Sequence, residues 1–283
     1  MTASPSAPFR LLVAAAALAV GTALPEGAPL GSRPLAAQIF HSSHAANLPT
    51  TTTLPAGDLL FEISHRFTPA ISDGSEAFWG LDGPVINRLG LAYAVTGAAL
   101  LGVRRSNLAD NVELWGSTRL VEGGSEGLPF AFGVTGAIAW NTASPQGVTD
   151  GRTDNETQAY LQGVLDLGFG ETVSVGIVPT YLRNPRIRDI EPDDAFVLGL
   201  HGRVAATDNL GLIAEWIVSE ERPGRAFDSG ALGFEIRTRG HFFKLLLTNQ
   251  TRMNPSQLLG GSAVEFTPDE WRIGFNITRR IAF

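Results

Sequence analysis

The stretch Trp271-Arg272-Ile273-Gly274-Phe275-Asn276-Ile277-Thr278-Arg279-Arg280-Ile281-Ala282-Phe283 alternates apolar and polar residues and stops on an aromatic one. Successive side chains of an extended chain point to opposite sides. Trp271, Ile273, Phe275, Ile277, Ile281 and Phe283 therefore share one face, and Arg272, Gly274, Asn276, Thr278 and Arg280 share the other. A last strand that is apolar on one side, polar on the other and closed by phenylalanine is the ending expected of a β-barrel that sits in lipid. The six apolar residues are read as its membrane-insertion signal. Arg279 is the misfit: parity puts it on the lipid face, where its long stem is expected to carry the charge to the headgroups.

Working back from this end, the same period-2 alternation recurs in short runs separated by turn residues. Twelve strands are predicted, at 58–68, 86–95, 98–106, 111–121, 128–141, 156–168, 171–183, 194–206, 209–220, 227–238, 240–250 and 270–283. An even number suits a single-chain barrel. Short connections such as Val95-Thr96-Gly97-Ala98, Gly168-Phe169-Gly170-Glu171 and Thr238-Arg239-Gly240 carry the Gly, Asn and Asp of tight turns. They mostly alternate with longer ones, and 107–110 is the exception. Short periplasmic turns and long external loops then put both chain ends on the periplasmic side. Segments of ten to fourteen residues match tilted membrane strands of about 9–11 residues plus overhang. Strands of a soluble sandwich cluster at about 5–6.

Composition bounds the function. With 283 residues and no cysteine, the chain offers no disulfide, no thiolate ligand and no cysteine nucleophile, and its net charge of -7 argues against a nucleic-acid partner. Arg10 followed by the apolar run from Leu11 to Leu24 reads as an export signal, too short for a spanning helix of about 20 residues. Cleavage fits after Ala23 or Ala37, and Gly/Pro-rich sequence between the two favours the second. The expected organisation is a signal peptide at 1–37, a periplasmic lead at 38–57 and an outer-membrane barrel at 58–283. An exported chain without a spanning helix crosses a membrane only as a closed barrel.

Several segments together resemble a family of bacterial outer-membrane β-barrel proteins classed only as a domain of unknown function. They are Phe61-Glu62-Ile63-Ser64-His65-Arg66-Phe67, Trp79-Gly80-Leu81-Asp82-Gly83, Arg88-Leu89-Gly90-Leu91-Ala92-Tyr93, Gly233 to Phe243, Leu247-Thr248-Asn249 and Gly274 to Arg279. The chain departs from the family pattern at Arg237 and Arg239. The resemblance implies a barrel in the outer membrane and carries no activity with it.

Parity assigns a set of polar residues to the lumen, as candidates for contact with a solute: Glu62, Arg66, Arg88, Arg104, Glu113, Arg119, Asp166, His201, Arg203, Glu215, Glu235, Arg237, Lys244, Arg272 and Arg280. Nine are Arg or Lys and five are Asp or Glu, so a mildly anion-preferring path follows from the charge-ring logic of channels. The alternative is that these charges pair and fill a narrow barrel, Arg272 with Glu62 for instance. Acidic residues concentrate instead in the external loops: Asp73, Glu76, Asp82, Asp150, Asp154, Asp189, Glu191, Asp193, Glu221, Glu265 and Asp269.

Other chemistry is thin. His41 and His44, three residues apart, are expected to be solvated, since two such ligands make a weak metal site. His65 falls outward near the external end, and His241 follows the Arg239-Gly240 turn. Ser64 and His65 are adjacent, so they point to opposite faces and cannot form a nucleophile-base pair. No Gly-x-Ser-x-Gly elbow is present; Ser106 or Ser117 with a distant histidine is the only arrangement left for a hydrolase. Phe78-Trp79-Gly80-Leu81-Asp82-Gly83 fits a compact turn better than a plug. The sequence thus predicts a non-enzymatic, twelve-stranded, antiparallel up-and-down barrel without catalytic residues, metal or cofactor. Its partners would be outer-membrane lipid, the barrel-assembly machinery and small hydrophilic solutes. The competing function is a structural or partner-binding barrel with a closed lumen, and an outer-membrane lipid hydrolase comes third.

Overall fold

The structure, a computed structural model, describes residues 39–124, 128–142, 157–185, 193–221 and 224–283. The expected signal peptide, Gln38, and the loop residues Asp150, Asp154, Asp189 and Glu191 lie outside the described residues.

Among the described residues twelve antiparallel strands close into one barrel, each paired with its neighbours in sequence, and the last with the first. They are β1 Leu59–Phe67, β2 Val85–Thr96, β3 Ala99–Ser106, β4 Asn111–Gly123, β5 Phe130–Asn141, β6 Thr157–Phe169, β7 Val173–Arg183, β8 Asp194–Ala205, β9 Leu210–Val218, β10 Ser229–Thr238, β11 His241–Thr248 and β12 Arg272–Ile281. Closure leaves no unpaired edge, which lipid would not tolerate. The seam runs from Leu59 opposite Ile281 to Arg66 opposite Gly274. Ile273, Phe275, Ile277 and Ile281 face outward along it. Trp271 and Phe283 flank the strand rather than belonging to it, and Phe283 is 89% exposed.

Alternation holds almost throughout because one face of each strand meets lipid and the other meets the interior. Leu89, Leu91 and Tyr93 of β2 are exposed while Arg88, Ala92 and Ala94 are buried. In β4 a bulge between Arg119 and Val121 shifts the register by one residue, and the apolar side chains stay outward beyond it. Exposed aromatic residues collect at both rims: Trp140, Phe196 and Trp216 near the loop end, and Phe61, Phe130, Phe169 and Phe243 near the turn end. Two such girdles mark the hydrocarbon boundaries of an outer-membrane barrel. By the same rule the loop end is external.

The connection between β1 and β2 folds compactly. Trp79 N–H donates to Gly74 O at 2.7 Å and Asp82 N–H donates to Ala77 O at 3.0 Å. Phe78 and Trp79 adopt left-handed backbone angles (φ 45° and 51°) and leave both rings more than half exposed. This is the compact turn expected from the sequence.

Candidate functional site

The described part of the expected lead lies in the lumen. Residues 39–54 enter the barrel as a hairpin, with the tip at Ala46 and Asn47. Ala45 N–H donates to Leu48 O at 2.8 Å and Thr50 N–H donates to Ser43 O at 3.0 Å. The Thr50 and Thr52 hydroxyls donate across the arms to Ser42 O (2.7 Å) and Phe40 O (2.6 Å). Threonine serves twice here: its branched side chain suits an extended arm, and its hydroxyl satisfies a facing carbonyl that would otherwise be buried without a partner. Both feet rest at the turn end, where Ser174 Oγ donates to Ile39 O (2.7 Å) and Thr53 Oγ1 donates to Gly97 O (2.7 Å).

Charged wall residues grip this hairpin. Glu215 Oε2 accepts the backbone N–H groups of Asn47 and Leu48, and Oε1 accepts Asn47 Nδ2, each at 2.8 Å. Arg66 donates to Asn47 Oδ1 at 2.8 Å and to Asn276 Oδ1 at 2.8 Å. Asn276 Nδ2 donates in turn to Ala46 O at 2.7 Å. Asp166 Oδ2 accepts both the N–H (2.7 Å) and the hydroxyl (2.8 Å) of Thr51. Lys244 donates to Ser42 Oγ (2.6 Å) and to His44 O (2.5 Å). Bonds of this kind, with one partner ionised, each contribute about 1.5–3 kcal/mol.

His44 is buried rather than solvated, with its ring 5.9 Å from that of Trp115. Burial pushes its imidazole down to about 3, opposed by the Glu62 carboxylate and assisted by Arg104, Arg88 and Lys244. It is therefore neutral at neutral pH.

A second segment closes the loop end. The connection from β11 to β12 turns inward and carries a one-turn helix, α1 (Pro255–Leu258), all of whose residues are buried. Arg88 Nη1 donates to Met253 O at 2.7 Å, Ser256 N–H donates to Glu113 Oε1 at 2.9 Å, and Gln158 Nε2 donates to Ser256 O at 2.8 Å. Leu258 and Leu259 of this cap join Leu48 of the hairpin in one apolar cluster with wall residues Val178, Leu182, Val197 and Ile217. The lumen is thus filled from both ends, and the two fillings share an apolar core.

The remaining predicted luminal residues all point inward, mostly into pairs. Arg88 is ion-paired with Glu62. Arg104 pairs with Glu113 at 2.9 Å, reaches Tyr160 OH at 2.9 Å and lies over the Trp115 ring at 4.8 Å. Glu235 takes Arg203 at 3.0 Å and Lys244 at 3.5 Å. His201 Nε2 lies 3.6 Å from Asp166 Oδ1, and its ring is 4.8 Å from that of Phe40. Arg119 pairs with Glu122 at 3.2 Å, and Arg280 with Asp58. The expected pair of Arg272 with Glu62 does not form. Opposite Glu62 across the seam stands Thr278, whereas Arg272 is near the loop end and bonds Thr68 O (2.9 Å) and Glu270 (3.3 Å).

These pairings redistribute the luminal charge. Along the wall, Arg66, Arg88, Arg104, Arg203 and Lys244 balance Glu62, Glu113, Asp166, Glu215 and Glu235. Toward the ends Arg119, Arg280 and Arg272 are paired with Glu122, Asp58 and Glu270, whereas Arg237 at the turn end has, among the described residues, no carboxylate within 4.0 Å.

An up-and-down, lipid-exposed barrel that holds its own N-terminal hairpin in a charge-lined lumen is an outer-membrane β-barrel of the bacterial cell, with a built-in closure. The chain belongs to the family described as membrane bound beta barrel domain (DUF5777), whose match covers residues 40–281. The matched region begins at residue 40, so all of the hairpin but Ile39 lies within the family domain. No curated protein sequence matches the chain. Among solved structures it is similar to the NanC porin (9% identity, TM-score 0.47, covering 80% of this chain and 100% of that one). It is similar too to an outer membrane channel from Pseudomonas putida F1 (12%, 0.48, 82% and 98%) and to outer membrane phospholipase A from Escherichia coli (11%, 0.40, 86% and 96%).

Proposed function

We propose that the protein is a non-enzymatic outer-membrane passage for small hydrophilic solutes whose resting state is closed, and that withdrawal of the hairpin at 39–54 opens it. The observation that carries this reading is the nature of the grip on the hairpin. Its anchors are the ionised or amide side chains Glu215, Asp166, Lys244, Arg66 and Asn276. Water can replace each of these bonds once the hairpin leaves, at small net cost. Both fillings bury apolar side chains, Phe40 and Leu48 in the hairpin and Met253, Leu258 and Leu259 in the cap; the cap is tied into the barrel at both ends, by β11 and β12, and the hairpin is tied to a strand at one end, by β1. The hairpin is therefore the movable part and the cap the fixed constriction.

Paired luminal charges give little ion selectivity. Arg237 at the turn end supplies the mild preference for anions. A closed structural or partner-binding barrel is the second reading, and the apolar core shared by Leu48, Leu258 and Leu259 favours it. The register favours a non-enzymatic barrel over a lipid hydrolase: outward His65 stands opposite Phe275 and Asn87, and outward His241 opposite Arg279 and Thr238. Among the described residues, neither ring has a serine as hydrogen-bond partner.

Planar-bilayer recording of the refolded chain with and without residues 39–54 tests the proposal. Rare openings of the intact barrel and steady current through the shortened one are expected. No current from either, over a range of salt concentrations, would leave the closed structural barrel standing.

A further inference from the structure

Arg279 and His241 meet on the lipid-facing side of the pairing between β11 and β12, at the last rung before the turn end, and Arg239 lies in the turn that joins β10 to β11. Arg279 stands opposite His241 on one side and Phe61 on the other. Arg279 Nη1 donates to His241 Nε2 at 2.6 Å. That nitrogen is therefore the acceptor of a neutral ring, and the ring proton is on Nδ1. The imidazole is stacked on Phe243, with centroids 5.7 Å apart and planes at 20°. Arg239 is exposed in the adjoining turn, and this turn is held against β12 by Arg280 N–H donating to Gly240 O at 2.9 Å.

Among the described residues, neither Arg239 nor Arg279 has a carboxylate within 4.0 Å. Elsewhere the same barrel supplies partners for its cations: outward Arg105 has Asp110, and outward Arg183 has Asp194 at 2.6 Å. A cation left unpaired at the edge of a hydrocarbon layer is costly unless an anion comes to it. At this height on the turn end the available anion is a phosphodiester of the periplasmic leaflet. Arginine engages that group through two parallel N–H donors, and the free Nδ1–H of His241 adds a third. Phe61 and Phe243, both exposed, offer an apolar floor for the first part of an acyl chain.

We infer that Arg279, His241 and Arg239 form a binding site for the headgroup of an anionic phospholipid. The site is separate from the lumen and independent of whether the barrel conducts.

The test uses the refolded full chain in detergent micelles, stripped of lipid and offered equal amounts of phosphatidylglycerol and phosphatidylcholine, with retained lipid counted by native mass spectrometry. The wild-type barrel is expected to prefer phosphatidylglycerol by about fivefold for each basic side chain engaged. Arg279→Gln removes most of the preference, and Arg239→Gln removes part of it. Arg105→Gln, at a paired arginine of the loop end, leaves it unchanged. Heat-dependent gel migration verifies that each variant is folded, and the Arg239→Gln result stands by itself should Arg279→Gln not fold. Excess inorganic phosphate should leave the retained lipid in place. Equal retention of both lipids by the wild type, an undiminished preference in folded Arg279→Gln and Arg239→Gln, or full displacement by phosphate would each overturn the inference.

Discussion

Glu215 accepts the backbone N–H of Leu48 at 2.8 Å, across 167 positions of sequence. A carboxylate in the middle of β9 thereby fixes the tip of a hairpin that precedes the first strand. The same carboxylate holds Asn47 through both its backbone and its side chain, so three bonds to the tip depend on one wall residue.

Glu215→Gln keeps the size of this group and removes its charge. One of its acceptor oxygens becomes an amide nitrogen facing an N–H donor, and the tip should be held about 1.5–3 kcal/mol more weakly. In bilayer recordings this is a rise of roughly ten- to a hundredfold in the open fraction. An unchanged open fraction would show that the tip bonds do not control closure.

Gly199 is where a side chain would evict the hairpin without touching any charge. A Cβ built there falls 2.6 Å from Leu48 Cδ1. Gly199→Val should therefore overpack the site by about 1–3 kcal/mol and raise the open fraction. Leu48→Ala in the same chain relieves the clash, so the double variant should be more closed than the sum of the single effects predicts. Strict additivity in a double-mutant cycle would separate the two residues.

Acidification should open the passage, and the sign follows from His44. In the withdrawn hairpin the ring titrates near its ordinary 6.5, and in the inserted hairpin burial holds it down to about 3. The withdrawn state therefore binds the proton more tightly. The contribution of His44 to insertion is complete above pH 6.5 and is lost progressively as pH falls toward 3, at about 1.4 kcal/mol per pH unit. Glu62, Arg88, Arg104 and Lys244 surround the ring, so the comparison that isolates it is wild type against His44→Gln. Equal slopes of open fraction against pH in the two would dismiss the histidine as the sensor.

Selectivity should reside at Arg237 and not at the paired luminal charges. Reversal potentials of the barrel lacking 39–54 should move toward cations in Arg237→Glu. They should stay nearly still when Arg203 and Glu235, which neutralise each other at 3.0 Å, are both replaced by glutamine. The opposite ranking would return selectivity to the paired charges.

The wall of this barrel was legible in the sequence because each strand reports its two environments locally. Alternation located all twelve strands and turned residues such as Glu62, Arg88 and Glu215 toward the interior. The filling was not legible, because its partners are remote: Asn47 with Glu215, Thr51 with Asp166, Ser256 with Glu113. A Thr-rich lead with two histidines looks solvated when those partners are out of view. One local signal did point to a packed lumen. Val178 and Leu182 in β7, and Ile213 and Ile217 in β9, are apolar on the inward face, where a water-filled channel would leave them wet. The misplaced pair of Arg272 and Glu62 has a plainer origin: parity fixes the face of a residue, and the seam register fixes its height.

Placing both feet of the hairpin at the turn end decides how it yields to force. Tension on the chain ahead of Ile39 would first load the bond from Ser174 to Ile39, then the Thr52 and Thr50 hydroxyls, and the Glu215 clamp at the tip last. On the proposed opening, a pull from the periplasm therefore acts on the contacts of the hairpin alone. A push from outside would meet the cap and the whole shared core at once. Force from the two sides of the membrane thus meets different contacts, those of the hairpin from the cell side and those of the cap from the environment.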